Sequence, residues 1–163
     1  MTSTVRVIAA ICISAVFTLS GCTKRQPTEE AAVTSRTQGS PDRWSRVEVF
    51  YSHTKEGDIN WLAARSGLSE PKDLNCHFVV CNGLGGNDGD ILSTEKWQNQ
   101  ESVVPPQNRY NARQTIRICV VADGEKSFPT DGQIKRVHTL VSSLTRKFGI
   151  TPENVLYPGD ISE

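Results

Sequence analysis

The chain has 163 residues, and its 18 basic and 18 acidic side chains cancel to a formal net charge of zero. That length suggests one domain. The charge balance excludes the broad basic face expected of a nucleic-acid-binding protein, and the clusters Lys24–Arg25, Lys135–Arg136 and Arg146–Lys147 read as solvated or helix-end charge.

The N-terminus carries its own pattern. Arg6 supplies a positive start, and Val7 to Leu19 form an apolar run too short to span a bilayer. Leu19-Ser20-Gly21-Cys22 follows. It resembles the bacterial lipobox, in which small residues precede a cysteine that is acylated before cleavage. The resemblance implies a signal peptide over residues 1–21 and a lipid-bearing Cys22 in the cell envelope. Removing residues 1–21 takes Arg6 and no acid, leaving 17 basic against 18 acidic side chains. Thr23 stands where an Asp retains some lipoproteins at the inner membrane, which points to the outer one. Residues 22–42, rich in Thr, Gln, Ser, Glu and Ala, read as a tether with an r.m.s. span of about 25 Å.

A single α/β domain is expected over residues 43–163. Val47–Tyr51 reads as a first strand. Ile59–Arg65 reads as a short helix, capped by Asp58 and stopped at Ser66-Gly67. Asn75–Cys81 contains a buried strand, and the Gly- and Asn-rich run 82–89 turns it into a hairpin with 90–93. Gln114–Ala122 is the most strand-like run and is expected at the sheet centre. Thr130 and Gln133 fit a capping box. Ile134, Val137, Val141, Leu144 and Phe148 then repeat at helical spacing, and Gly149 ends the helix. Thr151-Pro152-Glu153 opens another short turn. Interleaved strands and helices predict a central mixed β-sheet flanked by helices.

Of five cysteines, Cys12 leaves with the signal and Cys22 is the acylation site. Cys76, Cys81 and Cys119 remain, so at most one disulfide forms among them. Strand alternation would turn Cys76 and Cys81 to opposite faces, with Cys119 able to meet either from a neighbouring strand. Three buried thiols are equally compatible with the sequence. Other chemistry is thin. Gly83-Leu84-Gly85-Gly86 lacks the Gly-Lys-Ser/Thr ending of a phosphate loop, and Asn87-Asp88-Gly89-Asp90 lacks the spaced ligands of a calcium loop. Trp44 and Trp97 read as core, His77 as a hydrogen-bonded core residue, and His138 as surface.

The ordered pieces, from about Val47 to Ile161, resemble the zinc-dependent N-acetylmuramoyl-L-alanine amidases, which share a fold with peptidoglycan recognition proteins. The carrying segments are Cys76-His77-Phe78-Val79-Val80-Cys81-Asn82-Gly83, Gly89-Asp90-Ile91 with Trp97, Ile116 to Asp123, Phe128-Pro129-Thr130 with Gln133, and Phe148 to Leu156. The resemblance implies a zinc centre with three protein ligands and one open position for water. It places the first ligand at Ser52, within Phe50-Tyr51-Ser52-His53-Thr54, and the second at Pro158; the third lies several residues further on, beyond Glu163. It also puts Cys76 at the position of a tyrosine near the zinc, and Cys119 where some branches carry a catalytic acid. Proline offers a metal no lone pair, and a neutral serine hydroxyl is a poor zinc ligand. The implied protein is a catalytically inactive, lipid-anchored relative, with no cofactor expected, that binds peptidoglycan or muropeptides through a groove including Tyr51, His53, Trp61, Asn82 and Asp160. One alternative is an active amidase with substitute zinc ligands, for which His53 and Cys76 are candidates. Another is an envelope protein-interaction module.

Overall fold

The computed structural model describes residues 43–103, 112–159 and 161. The signal peptide, the tether with Cys22, and Asp160 lie outside the described residues.

The described residues form a five-stranded mixed sheet in the order β3-β2-β4-β1-β5. β1 is Arg46–Tyr51, β2 Phe78–Val80, β3 Ile91–Ser93, β4 Thr115–Val120 and β5 Val155–Leu156. β4 lies at the centre, parallel to β1 on one side and to β2 on the other. β5 adds parallel to β1, while β3 closes the opposite edge as the antiparallel arm of the expected hairpin. All six residues of β4 are buried, as a strand covered on both faces requires.

Helix α1 spans Ile59–Arg65, α2 Glu95–Gln98 and α3 Asp131–Phe148. α1 starts where Asp58 accepts the Trp61 amide. α3 starts at a complete capping box, Thr130 with Gln133, and ends at Gly149 in the left-handed region with φ 64°. Its apolar stripe packs on one face of the sheet. Val137, Leu140, Val141, Leu144 and Phe148 meet Val47, Val49, Phe78, Val80, Ile116, Ile118 and Val120 there. A smaller cluster on the other face joins Leu62 and Ala63 of α1 to Leu74, Val79 and Val121, with all three cysteines among them.

Two expectations need correcting. Cys76 and Cys81 do not part company, because β2 covers only Phe78–Val80 and alternation does not extend to a residue before the strand begins. Both thiols enter the smaller cluster. His138 is half-buried rather than on the surface, its ring 5.4 Å from that of Tyr157. Trp44, Trp97 and His77 are core residues as expected. α2 and β5 add elements that periodicity did not reveal.

Candidate functional site

β1, β4 and β2 run parallel, so their carboxyl ends open onto one edge of the sheet, where open α/β folds hold ligands. Three loops build that edge: 52–58 after β1, 81–90 after β2 and 121–130 after β4. They are tied together by backbone. The Gly57 amide donates to the Leu84 carbonyl at 2.9 Å. A Cβ on Gly85 would come within 3.0 Å of the Gly57 carbonyl carbon, so the close approach of these loops requires glycine. Asn82 donates to the Lys55 carbonyl at 2.8 Å and accepts the Leu84 amide, so the polar atoms of this expected groove residue hold loops together.

Ser52 leaves β1 at this edge, with its amide on the Val120 carbonyl. Its hydroxyl accepts the amides of Thr54 and Ala122, both at 3.3 Å. Thr54 sends its own hydroxyl proton to the Glu56 carbonyl, so the 2.8 Å contact between the two hydroxyls is donated by Ser52. Two acceptor lone pairs and one proton are then all engaged. Pro158 follows β5, the strand flanking β1, and is half-buried.

His53 holds the left-handed conformation at φ 57°, a rare region for a non-glycine residue. Its Nδ1 lies 3.1 Å from the Asp123 carbonyl. A carbonyl can only accept, so Nδ1 carries the proton in that contact, and the residue is exposed. Trp61, on α1, is 37% exposed and packs beside Gly57, within the same set of loops. Leu84 and Phe128, on the other two loops, are exposed as well. Neither is assigned to the groove by the sequence, since single apolar residues in glycine-rich or proline-flanked loops carry no periodic signal.

Other expected site residues are buried. Strand alternation turns Tyr51 away from Ser52 into the α3-side core, where its ring packs under Gly124 of the third loop. Cys76 and Cys119 are buried, together with Cys81, in the smaller core cluster. Among the described residues no group of three or more His, Cys, Asp or Glu side chains is placed to hold a metal ion.

Two buried polar residues were not anticipated in their roles, Arg117 towards the amino end of β2 and Gln133 at the edge itself. Arg117, on β4, pairs with Glu48 at 3.0 Å, donates to the Asn75 carbonyl at 2.8 Å and lies 4.1 Å from the centre of the Phe50 ring. A charge inside the most apolar strand was its signal. Gln133, anticipated only as a cap, donates to the carbonyls of Val80 and Val121 at 2.9 and 3.1 Å. It thereby ties α3 to the ends of β2 and β4 behind the edge.

A family model described as N-acetylmuramoyl-L-alanine amidase matches residues 25–161. Neither the curated proteins nor the solved structures contain a significant match.

Proposed function

The chain belongs to the N-acetylmuramoyl-L-alanine amidase family, and from that premise we propose that it is a membrane-tethered member that binds peptidoglycan or a muropeptide without hydrolysing it. The observation that carries this reading is the state of Ser52. It occupies the position that the resemblance gives to the first zinc ligand, and its hydroxyl is committed to Thr54 and Ala122. The second ligand position holds Pro158, which has no donor atom to give. Zinc does not fit this pair of residues.

Binding depends on shape and hydrogen bonds, so it can persist where the metal ligands are lost. His53, Trp61, Leu84 and Phe128 offer the exposed imidazole and apolar contacts for it. Export by residues 1–21 and acylation of Cys22 would hold this edge beside the cell wall on a tether of about 25 Å.

The test is retention of the protein on purified sacculi against an unrelated control of similar size. Retention above the control is expected; equal retention overturns the reading. Trp61→Ala should weaken that retention about tenfold, as loss of one exposed aromatic anchor does, while leaving the melting temperature nearly unchanged. Full retention by this variant would remove Trp61 from the binding surface. Release of free stem peptides, together with stoichiometric zinc in the purified protein, would instead favour an active amidase with substitute ligands.

A further inference from the structure

Asn82 ties two of the edge loops together, yet its chemical setting is labile. It is the one asparagine in the chain followed by glycine. Asparagine is among the thermolabile residues, because the amide nitrogen of the next residue can attack its side-chain carbonyl carbon and close a five-membered ring. A following side chain hinders that attack; glycine does not. Gly83 is exposed, holds φ 89°, and among the described residues its amide donates no hydrogen bond. The Asp88-Gly89 pair in the same loop lacks this freedom: Gly89 is buried, and its amide donates to the Cys81 carbonyl at 2.8 Å.

We propose that Asn82 is a deamidation site, and that its conversion to aspartate and isoaspartate unties the 52–58 loop from the 81–90 loop. In the first step the Gly83 nitrogen bonds to Asn82 Cγ and the Cγ–Nδ2 bond breaks; the Gly83 amide proton leaves with that nitrogen as ammonia. Water then opens the succinimide. Attack at the side-chain carbonyl gives aspartate, and attack at the main-chain carbonyl gives isoaspartate, with one extra methylene in the backbone. Neither product replaces the amide. Nδ2 donates to the Lys55 carbonyl at 2.8 Å, and a carboxylate oxygen there would set acceptor against acceptor. The extra methylene meets a loop without slack: a Cβ on Gly85 would lie 3.0 Å from the Gly57 carbonyl carbon, and one on Gly86 2.8 Å from the Cys81 sulfur. The native fold slows the first step, since Oδ1 is held by the Leu84 amide. Conversion proceeds from openings of the loop, and the product then keeps it from closing.

The test incubates the folded full chain for weeks in mildly alkaline buffer and follows the tryptic peptide 73–96, which holds Asn75, Asn82 and Asn87. The expected result is the mass gain of an amide becoming a carboxylic acid, placed on residue 82 by fragmentation. Asn82→Gln should abolish the gain, because its longer side chain would have to close a six-membered ring. The converted fraction carries one more negative charge and separates by ion exchange. In it the Gly57 amide, which donates to the Leu84 carbonyl, should exchange with deuterium about tenfold faster than in unconverted protein. Asn82→Asp should show the same acceleration without any incubation. No gain on residue 82, or a gain that comes first on Asn75 or Asn87, overturns the site. A converted fraction in which Gly57 exchanges at the unconverted rate overturns the untying of the loops.

Discussion

Acidification from pH 7 to pH 4 is expected to cost the folded domain about 3 kcal/mol through His77 alone. The ring is fully buried, edge-on to Trp44 at 4.9 Å and to Trp97 at 6.0 Å. Its Nδ1 accepts the Arg117 amide at 2.9 Å, which fixes the proton on Nε2, where it is donated to the Glu101 carbonyl. A second proton would have to enter at Nδ1, against an N–H already pointing there. Burial, opposed by the Glu101 carbonyl and assisted by the nearby charge of Arg117, lowers the pKa from 6.5 to about 4. The folded value is the depressed one. Above pH 6.5 both folded and unfolded chains carry a neutral ring, and no stability is lost. Between pH 6.5 and 4 the unfolded chain takes a proton that the folded chain refuses, so stability falls steadily across that window. Below pH 4 both are protonated and the loss stops growing. Urea denaturation across pH 4–7, for the wild type and for His77→Gln, isolates the effect. The variant should be less stable at pH 7 but show a shallower slope. Parallel pH profiles for the two proteins would rule out this role for His77.

Replacing Gln133 by leucine should cost about 3 kcal/mol, or a fall of roughly 10 °C in melting temperature, although the side chain keeps its approximate volume. Gln133 is fully buried and serves three groups at once. Its amide nitrogen satisfies the Val80 and Val121 carbonyls, and its oxygen accepts the Thr130 amide at 3.1 Å. Leucine offers nothing to any of them. The Val80 carbonyl keeps the Val121 amide as a partner, so the cost falls mainly on the Val121 carbonyl and on the helix cap. Gln133→Glu should restore the acceptor for Thr130 yet be no better at neutral pH, since a carboxylate would face two carbonyls. Calorimetry on the three proteins decides the matter; a leucine variant within 1 kcal/mol of the wild type would show that the bridge contributes little.

The elements legible in the sequence are those whose signal is local. The capping box of Thr130 and Gln133, the stripe from Val137 to Phe148 and the stop at Gly149 each depend on neighbours within one or two helical turns, and α3 follows them closely. β4 was legible because a β-branched, mostly apolar run, broken only by Thr115 and Arg117, suits a strand covered on both faces. β5 was not, since two residues cannot display alternation and exist as a strand only by pairing with Val47 and Glu48. At the candidate edge, the positions of Ser52, His53 and Trp61 were readable from chain order. What they bond to was not: the commitment of Ser52 to Ala122, and of His53 to Asp123, joins residues 70 apart. The convergence of Cys76 with Cys81 was misread because alternation was carried past the end of a three-residue strand.

The order of the strands also fixes when the sheet can exist. β1 emerges first from the ribosome, yet both of its neighbours, β4 and β5, come later in the chain: Arg46 waits for Thr115, and Val47 for Val155. Of the described strands, only the β2–β3 hairpin can pair from nearby residues. Sheets assembled from such distant pairings fold slowly, because the intervening chain must be closed into loops before any contact compensates for the lost entropy. β1 therefore stays without either of its sheet partners for as long as synthesis of the C-terminal half takes, and its apolar residues must be kept from other contacts until then.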